Sequence, residues 1–358
     1  MFSIRSFVIA ALAAGVLASP VAERATCTVN SVDSAKNLSS CTDVVIEAFT
    51  VPSGQTVSIA AKAGATITMK GSVSFAKTTS AGPLLTIDTD NVKFAGNGYS
   101  FKGNGDLYWD GKGTNGGTTK PHPFLKFKGY GTFDNFIVKN SPAQAISIGT
   151  TGGAATFSKV LVDNKDGDAS SLGHNTDGFD CSADDVTITN SKVYNQDDCL
   201  ALNKGKNMKF TNNYCSGGHG ISIGSIATDH SVSGVTISGN TVVDSMYGMR
   251  IKVQQSASNA AVSDVTYSGN TISGIDKYGF LVSQSYSEDF GTPGTKSKIS
   301  GINFTGSQTT IAVNDKSVRV GVDCGNCSGT WDFSKLKVTG GKDSKIVKGG
   351  ATISGGTY

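Results

Sequence analysis

A short β motif repeats along this chain. Ser238-Gly239-Asn240-Thr241 returns as Ser268-Gly269-Asn270-Thr271, and Thr211-Asn212-Asn213 occupies the same place one interval earlier. At intervals of 22 to 41 residues, segments of alternating apolar and polar residues begin near Val92, Phe133, Phe157, Val186, Met208, Val235, Val265 and Ile302. Asn and Gly at one phase suit turns, because both tolerate left-handed backbone angles. This recurrence predicts an all-β protein, a single-domain parallel β-helix over residues 25–358.

Two other fold classes fit parts of the pattern. A β-sandwich also has short strands and turns, but it does not predict similarity between segments one coil apart. Abundant Gly (45 residues) and few charged residues (16%) could suggest disorder, but alternation such as Val186–Thr189 argues for strands. The stretch Ser31 to Ser40, with apolar Val32, Ala35 and Leu38, predicts a short helix that caps the open N-terminal end of the β-helix.

The first residues are predicted to be removed. Arg5 lies in a basic region, an apolar run extends from Phe7 to Leu17, and small residues near Ala18 form a cleavage site, so residues 1–18 are a predicted signal peptide. The run is shorter than the roughly 20 residues that span a bilayer, which disfavours a membrane anchor. Residues 19–24, ending at Arg24, are a predicted propeptide. We therefore expect a secreted, extracellular protein.

Charge and cysteine content narrow the function classes. Loss of residues 1–24 removes two cations and one anion, which changes the net charge from +3 to +2. So weak a charge without a basic stripe argues against a nucleic-acid partner. In a secreted chain the 7 cysteines are candidates for disulfides, and sequence alone does not assign the partners. Cys324-Gly325-Asn326-Cys327 has metal-ligand spacing but no second pair like it, so we expect no metal or other cofactor.

Four polar stretches lie about one coil apart. The steps are 21 residues from Asp177 to Asp198, 21 from Asp198 to His219 and 31 from His219 to Arg250. In a solenoid they would stack into one patch. Cleaving a glycosidic bond needs one protonated carboxyl for the leaving oxygen and one ionised carboxylate to activate water. Cations beside these acids suit a substrate that carries carboxylates. The stretches are Asn175-Thr176-Asp177, Gln196-Asp197-Asp198, Gly218-His219-Gly220 and Arg250-Ile251-Lys252.

Each residue also has a simpler interpretation. An Asp in Asn-Thr-Asp-Gly is commonly a turn residue, a His between glycines can be exposed to solvent, and paired cations often lie on a solvated face. Recurrence from coil to coil favours a shared site. Strand alternation places Arg250 and Lys252 on one face with Ile251 in the core. The same alternation would separate Asp197 from Asp198, so both reach one cleft only if the chain turns or bulges there.

These motifs resemble the hallmark motifs of fungal endopolygalacturonases, the pectin-hydrolysing glycoside hydrolases. The resemblance covers essentially the whole mature chain and includes Tyr108-Trp109-Asp110-Gly111 and the run Cys215 to Ser225. It implies a right-handed β-helix and inverting, endo-acting hydrolysis of α-1,4-linked galacturonan in pectin. The implied catalytic residues are Asp197 as general acid, Asp177 and Asp198 to hold and activate water, and His219 to tune the acid. The implied substrate contacts are Asn175, Arg250, Lys252 and Tyr286.

The resemblance implies further properties. Plant polygalacturonase-inhibiting proteins are implied partners, and we expect a monomer. Three Asn-X-Ser/Thr sequons, at Asn37, Asn303 and Asn326, permit glycosylation. We expect Cys181 to be a buried free thiol behind the cleft, without an activating base. The implied disulfides are Cys27–Cys41, Cys199–Cys215 and Cys324–Cys327.

Several functions stay open on sequence alone. An exo-acting polygalacturonase or a rhamnogalacturonan hydrolase would carry the same catalytic acids. A pectate lyase is disfavoured, because β-elimination gives unsaturated products and generally needs Ca²⁺. A non-catalytic carbohydrate-binding β-helix would not need Asp177, Asp197 and Asp198 on one face.

Overall fold

Parallel strands stack coil upon coil along the chain. The computed structural model describes Phe2 and residues 25–358, so apart from Phe2 the predicted signal peptide and propeptide lie outside the described residues. The described part is a right-handed parallel β-helix, which confirms the predicted fold class. Three short 3₁₀ helices interrupt the strands, at Ser34–Lys36, Gly105–Leu107 and Lys165–Ser171. Among the described residues, no helix is long and apolar enough to cross a membrane.

The strands are short in the N-terminal coils and lengthen toward the C-terminus. The early strands are β1 (Thr26–Val29), β2 (Asp43–Ile46), β3 (Phe49–Val51), β4 (Val57–Ile59), β5 (Thr66–Met69), β6 (Val73–Phe75), β7 (Leu85–Ile87), β8 (Val92–Ala95), β9 (Ser100–Lys102), β10 (Leu125–Phe127) and β11 (Gly131–Asp134). The central strands are β12 (Ile137–Lys139), β13 (Ile146–Ile148), β14 (Ala155–Ser158), β15 (Leu161–Asp163), β16 (Phe179–Ser182), β17 (Val186–Thr189), β18 (Lys192–Tyr194), β19 (Leu200–Lys206), β20 (Lys209–Thr211), β21 (Tyr214–Ser216) and β22 (Ile221–Ile226). The late strands are β23 (Ser231–Ser238), β24 (Thr241–Gln254), β25 (Ala260–Ser268), β26 (Thr271–Tyr286), β27 (Ser297–Phe304), β28 (Thr309–Asp323), β29 (Cys327–Ser328), β30 (Thr330–Asp332), β31 (Leu336–Lys342), β32 (Lys345–Val347) and β33 (Thr352–Ser354).

Each coil contributes strands to three faces. The first face runs from β1 through β2, β5, β8, β11, β14, β17, β20, β23, β25 and β27 to β29. The second runs from β3 through β6, β9, β12, β15, β18 and β21 into the first halves of β24, β26 and β28. The third runs from β4 through β7, β10, β13, β16, β19 and β22 into the second halves of those three long strands.

The repeats predicted from sequence all fall on the first face. Val92 pairs with Gly131, whereas Phe133 pairs with Phe94 and Phe157. The predicted starts at Phe133 and Phe157 are therefore two residues late. Both rings point inward and stack at 4.6 Å between centroids, because alternate residues of a strand face the core.

The repeated Ser-Gly-Asn-Thr motif has two different structural roles. Gly239, Gly269 and the equivalent Asn212 have positive φ (65°, 63° and 57°), as the turn interpretation requires. The Asn that follows each of them is instead buried, and Asn213, Asn240 and Asn270 form a ladder. The backbone N–H of Asn240 donates to Oδ1 of Asn270 at 3.0 Å, and the side chain of Asn240 donates to the carbonyl of Phe210. The ladder satisfies backbone groups at the corner between coils.

Both ends of the described solenoid are covered. The predicted N-terminal helix is a single 3₁₀ turn, shorter than Ser31 to Ser40; Ala35 and Leu38 are buried as expected and Val32 packs against the core. At the other end β33 pairs with β30, and the ring of Tyr358 lies 6.1 Å from that of Phe333. The three implied disulfides, Cys27–Cys41, Cys199–Cys215 and Cys324–Cys327, are present.

Candidate active site

The predicted polar patch lies at one edge of the third face. Phe179, Leu200 and Ile221 pair in one column of β16, β19 and β22. Asp177, Asp198 and His219 each precede their column member by two residues, so they align from coil to coil. This confirms the predicted stacking of the acids and the histidine.

The step to Arg250 does not follow the same alignment. Ile221 pairs with Met249, so Tyr247 is the residue one coil after His219. Arg250 instead pairs with Ser222, further along the strand. Ile251 is fully buried between Arg250 and Lys252, as strand alternation predicted. The coil from Ile221 to Met249 spans 28 residues, whereas Arg250 lies 31 residues after His219, so Arg250 falls three residues beyond the alignment.

Asp197 and Asp198 reach the same cleft because they lie in a turn. β18 ends at Tyr194 and β19 begins at Leu200, so the alternation of a strand does not apply to the two acids. The side chain of Asn195 donates to the backbone carbonyls of Thr176 and Asp198 at 3.0 and 2.9 Å, which fixes this turn to the preceding coil. The predicted turn is therefore present.

Asp198 is buried among cations. Its Oδ1 accepts from Nη2 of Arg250 at 2.7 Å and from the hydroxyl of Ser222 at 2.7 Å, and its Oδ2 accepts from Nζ of Lys252 at 2.5 Å. Burial alone would raise the pKa of Asp198, but Lys252 and Arg250 outweigh burial and lower the pKa to about 2. Asp198 is therefore ionised at any working pH. The two cations were predicted to meet substrate carboxylates; both already pair with Asp198.

Asp197 is the more accessible of the paired acids. Its side chain is 13% exposed, and that of its neighbour His219 is 25% exposed. Nδ1 of His219 lies 2.9 Å from Oδ1 of Asp197, close enough for an ion pair when the imidazole is protonated, and Oδ1 accepts from the backbone N–H of Asp198 at 2.8 Å. Oδ2 accepts from Nδ2 of Asn175 at 3.0 Å. The carboxyl therefore has a fixed orientation at the open side of the cleft.

Asp177 is a buried carboxyl with a free oxygen. Its Oδ1 has no hydrogen-bond partner among the described residues. Burial, and then the charges of Asp197, Asp180 and Asp198, raise the pKa of Asp177 well above its usual value. Asp177 can therefore hold a proton while Asp198 carries a negative charge. Such a difference between neighbouring carboxyls is typical of acid–base sites.

Sequence reasoning missed a fourth carboxyl, that of Asp180. It lies on β16 in the column that continues through Ala201 and Ser222 to Arg250, and burial and then Asp198 raise its pKa to about 7. At acidic pH it is therefore neutral and adds no charge against an acidic ligand. Asp180 is three residues after Asp177, and the direction of its side chain depends on where β16 begins. The sequence does not give that start, so it did not predict that Asp180 faces the cleft.

A cleft of about 470 Å³ opens above these residues. Tyr247 closes one side, with the guanidinium of Arg250 4.2 Å from the centroid of its ring. Tyr286 is the last residue of β26, and the centroid of its ring lies 5.2 Å from Nζ of Lys252. All eight predicted site residues line the cleft, and it also contains Gln144, Asp180, Ala201, Asn203, Gly224, Ser225, Met246 and Tyr247.

The glycines around His219 are required by the packing of the protein itself. A Cβ at Gly218 would lie 2.0 Å from the carbonyl oxygen of Asp197, and one at Gly220 would lie 2.1 Å from that of Tyr247. These glycines instead let neighbouring coils approach closely. The prediction for Cys181 is confirmed: the thiol is free and buried, and burial raises its pKa to about 12.

Asp197, Asp198 and His219 place ligand atoms within 4.8 Å of one another. A metal ion there would compete with Arg250 and Lys252, which already occupy the oxygens of Asp198. The buried charge of Asp198 is therefore already compensated by two protein cations.

Comparison with known proteins identifies the family. The sequence profile of glycosyl hydrolases family 28 matches residues 41–354. The chain belongs to this family. This membership confirms the resemblance drawn from sequence and makes the protein a glycoside hydrolase.

Relatives within family 28 match most of the chain. An endo-polygalacturonase of Sclerotinia sclerotiorum is 41% identical over 88% of this chain and 83% of its own length. Endopolygalacturonase B of Emericella nidulans is 39% identical over 95% and 94%. Among solved structures, endopolygalacturonase I from Stereum purpureum, complexed with two galacturonate, is 59% identical, with a TM-score of 0.92 over 93% of this chain and all of that chain. An endo-xylogalacturonan hydrolase from Aspergillus tubingensis, 24% identical with a TM-score of 0.73, shares the fold.

Proposed function

We propose that this family 28 enzyme is a secreted endo-polygalacturonase, which hydrolyses internal α-1,4-galacturonosyl linkages of polygalacturonate with inversion. The observation that carries the proposal is the contrast between two adjacent acids. Asp198 is held ionised by Arg250 and Lys252, while Asp197 faces the open cleft beside His219. The names of the relatives, and the galacturonate in the Stereum purpureum structure, support the choice of substrate.

The geometry is compatible with one task for each residue in a single displacement. Asp197 donates a proton to the leaving glycosidic oxygen from the exposed side of the cleft. Asp198, ionised in the resting enzyme, orients the attacking water with Asp177, whose free Oδ1 offers a hydrogen-bonding atom. Asp198 takes the proton of this water as the water oxygen bonds to the anomeric carbon, and it releases that proton to solvent after the product leaves. His219 holds the Asp197 carboxyl in place, and a proton from solvent restores the acid form of Asp197 after each cycle. Water attacks opposite the leaving group, so no covalent intermediate forms and the anomeric configuration inverts.

Substrate recognition rests on charge and aromatic surface. Arg250 and Lys252 keep a net positive charge after one of them compensates Asp198, and a uronate carboxylate can share that charge. The neutral state of Asp180 below its pKa of about 7 avoids repulsion of the polyanion. Tyr286 and Tyr247 provide ring surface on which a sugar can pack.

The other expectations stay predictions. Secretion, monomeric state and binding by plant inhibitor proteins rest on the sequence and the resemblance. Of the three sequons, Asn37 is exposed, whereas Asn303 accepts from the backbone of Asp332 and Asn326 donates to the carbonyl of Thr295. We therefore propose that glycosylation, where it occurs, uses Asn37.

Products formed over time from polygalacturonate test endo-action. We expect a ladder of oligogalacturonides with a rapid fall in viscosity, because an endo-enzyme cuts within the chain. Monomer alone from the start would indicate an exo-enzyme. Products that absorb in the ultraviolet would indicate elimination and contradict hydrolysis.

A further inference from the structure

A glycine-rich loop, residues 112–119, lies between β9 and β10 and extends to the active site. Its base is tied by Asp110. Oδ1 of Asp110 accepts from Nζ of the buried Lys120 at 2.7 Å, and Oδ2 accepts from the backbone N–H of Thr118 at 2.6 Å. The hydrogen bond from Lys120, and then that from Thr118, lower the pKa of Asp110 well below its usual value. The anchor is therefore charged throughout the working pH range.

Residues at the tip of this loop donate three hydrogen bonds to one atom, Oδ1 of Asn175. The backbone N–H of Thr114 donates to Oδ1 of Asn175 at 3.1 Å, the hydroxyl of Thr114 at 3.3 Å and the side-chain amide of Asn115 at 3.3 Å. An Asn side chain accepts at its oxygen and donates at its nitrogen. Three donors on Oδ1 thus decide which way the amide points, and Nδ2 is left to donate to Oδ2 of Asp197.

We propose that the 112–119 loop positions the general acid through Asn175. The inference rests on the proposed role of Asp197 and adds a new group to it. Asn175 was implied as a substrate contact, yet both ends of its amide are engaged within the protein. Thr114, Asn115 and Asp110 act as positioning residues, since none of them lies on the cleft surface around Asp197 and Asp198. Their hydrogen bonds fix the plane of the Asp197 carboxyl before substrate arrives.

Two glycines near each other give a matched test. At Gly113, whose φ is +56°, an added Cβ would lie 2.2 Å from Oδ1 of Asn175 and would push that side chain away. The displaced atom is the end of a flexible side chain, so the fold can absorb the change. Gly111, just before the loop, has a similar φ of +76°, but an added Cβ would meet no heavy atom nearer than 3.7 Å. Both substitutions impose left-handed strain on Ala, and only one touches Asn175.

We expect Gly113→Ala to lower kcat on polygalacturonate by about tenfold to a hundredfold, with a smaller change in KM. Loss of a donor favours the protonated form of a carboxyl. The alkaline limb of the rate profile, where the general acid loses its proton, should therefore move up by about one pH unit. Gly111→Ala should keep the wild-type kcat within about twofold and the wild-type pH profile. The measurements are initial rates from pH 3 to pH 8 and thermal unfolding midpoints for all three proteins.

Asn115→Ala is a second variant. Because the side chain of Asn115 is exposed, its loss should leave the thermal unfolding midpoint unchanged. It should reproduce the shift of the alkaline limb at reduced size. The proposal is overturned if Gly113→Ala matches Gly111→Ala, or if its rate falls while the alkaline limb stays at the wild-type pH. The proposed function is tested separately by Asp197→Asn. The loop proposal can therefore fail while Asp197 is still shown to be the general acid.

Discussion

Replacing Asp197 by Asn should lower kcat on polygalacturonate by about 10²- to 10⁴-fold and leave the thermal unfolding midpoint close to wild type. Asn keeps the shape of Asp but has no acidic proton for the leaving oxygen. The substituted side chain is partly exposed and sits in a turn, so few packing contacts change. Release of reducing ends at acidic pH is the measurement.

A substrate that needs no general acid provides the control. Fluoride leaves as an anion, so α-galacturonosyl fluoride should be hydrolysed by Asp197→Asn at a rate near wild type. Asp177→Asn and Asp198→Asn should be slow on both substrates, because they act on the attacking water. If Asp177→Asn rather than Asp197→Asn were rescued by the fluoride, the buried carboxyl with the raised pKa would be the acid and the assignment would be wrong.

Replacing Asp198 by Asn should abolish activity and also destabilise the fold, by about 3–5 kcal/mol in denaturant unfolding. The reason is that Arg250 and Lys252 are 5% and 6% exposed and would lose the carboxylate that compensates both. An uncompensated buried charge costs far more than the loss of an exposed ion pair. Asp33→Asn is the matched control: it removes a carboxylate whose partner Lys36 is in solvent, so the midpoint should not move.

The same residue makes a prediction for acid unfolding. The pKa of Asp198 is lowered from 3.8 to about 2 in the folded protein. Its contribution to stability is therefore present above pH 3.8 and is lost as the pH falls toward 2. Wild type should lose stability steeply across that interval, and Asp198→Asn should show a shallower slope. Equal slopes, or an unchanged midpoint for Asp198→Asn at neutral pH, would mean that the cations do not depend on this carboxylate.

The sequence predicted those features of the fold and site that depend on local period. Turn glycines, strand alternation and coil length were enough to place Asp177, Asp198 and His219 in one column. The turn at Asp197 followed from the demand that two adjacent acids share a cleft. These are properties of single coils and their repetition.

What the sequence did not predict depends on register between coils of unequal length. Tyr247, rather than Arg250, follows His219 because the intervening coil has a different length. Asp180 faces the cleft because of where β16 begins. The contact of Asn115 with Asn175 joins residues 60 apart through an irregular loop, for which no periodicity exists. Gly218 and Gly220 are needed because carbonyls of other segments, those of Asp197 and Tyr247, approach them closely, and the local sequence does not show such contacts.

Proton NMR of the first product anomer tests the central claim most directly. The enzyme would be incubated with an α-1,4-linked oligogalacturonide, and spectra recorded before mutarotation is complete. We expect the β-anomer of the new reducing end to appear first and the α-anomer to follow by mutarotation, because water attacks from the face opposite the leaving group. An α-anomer formed first, or a 4,5-unsaturated uronate at the new non-reducing end, would contradict inverting hydrolysis by Asp177, Asp197 and Asp198.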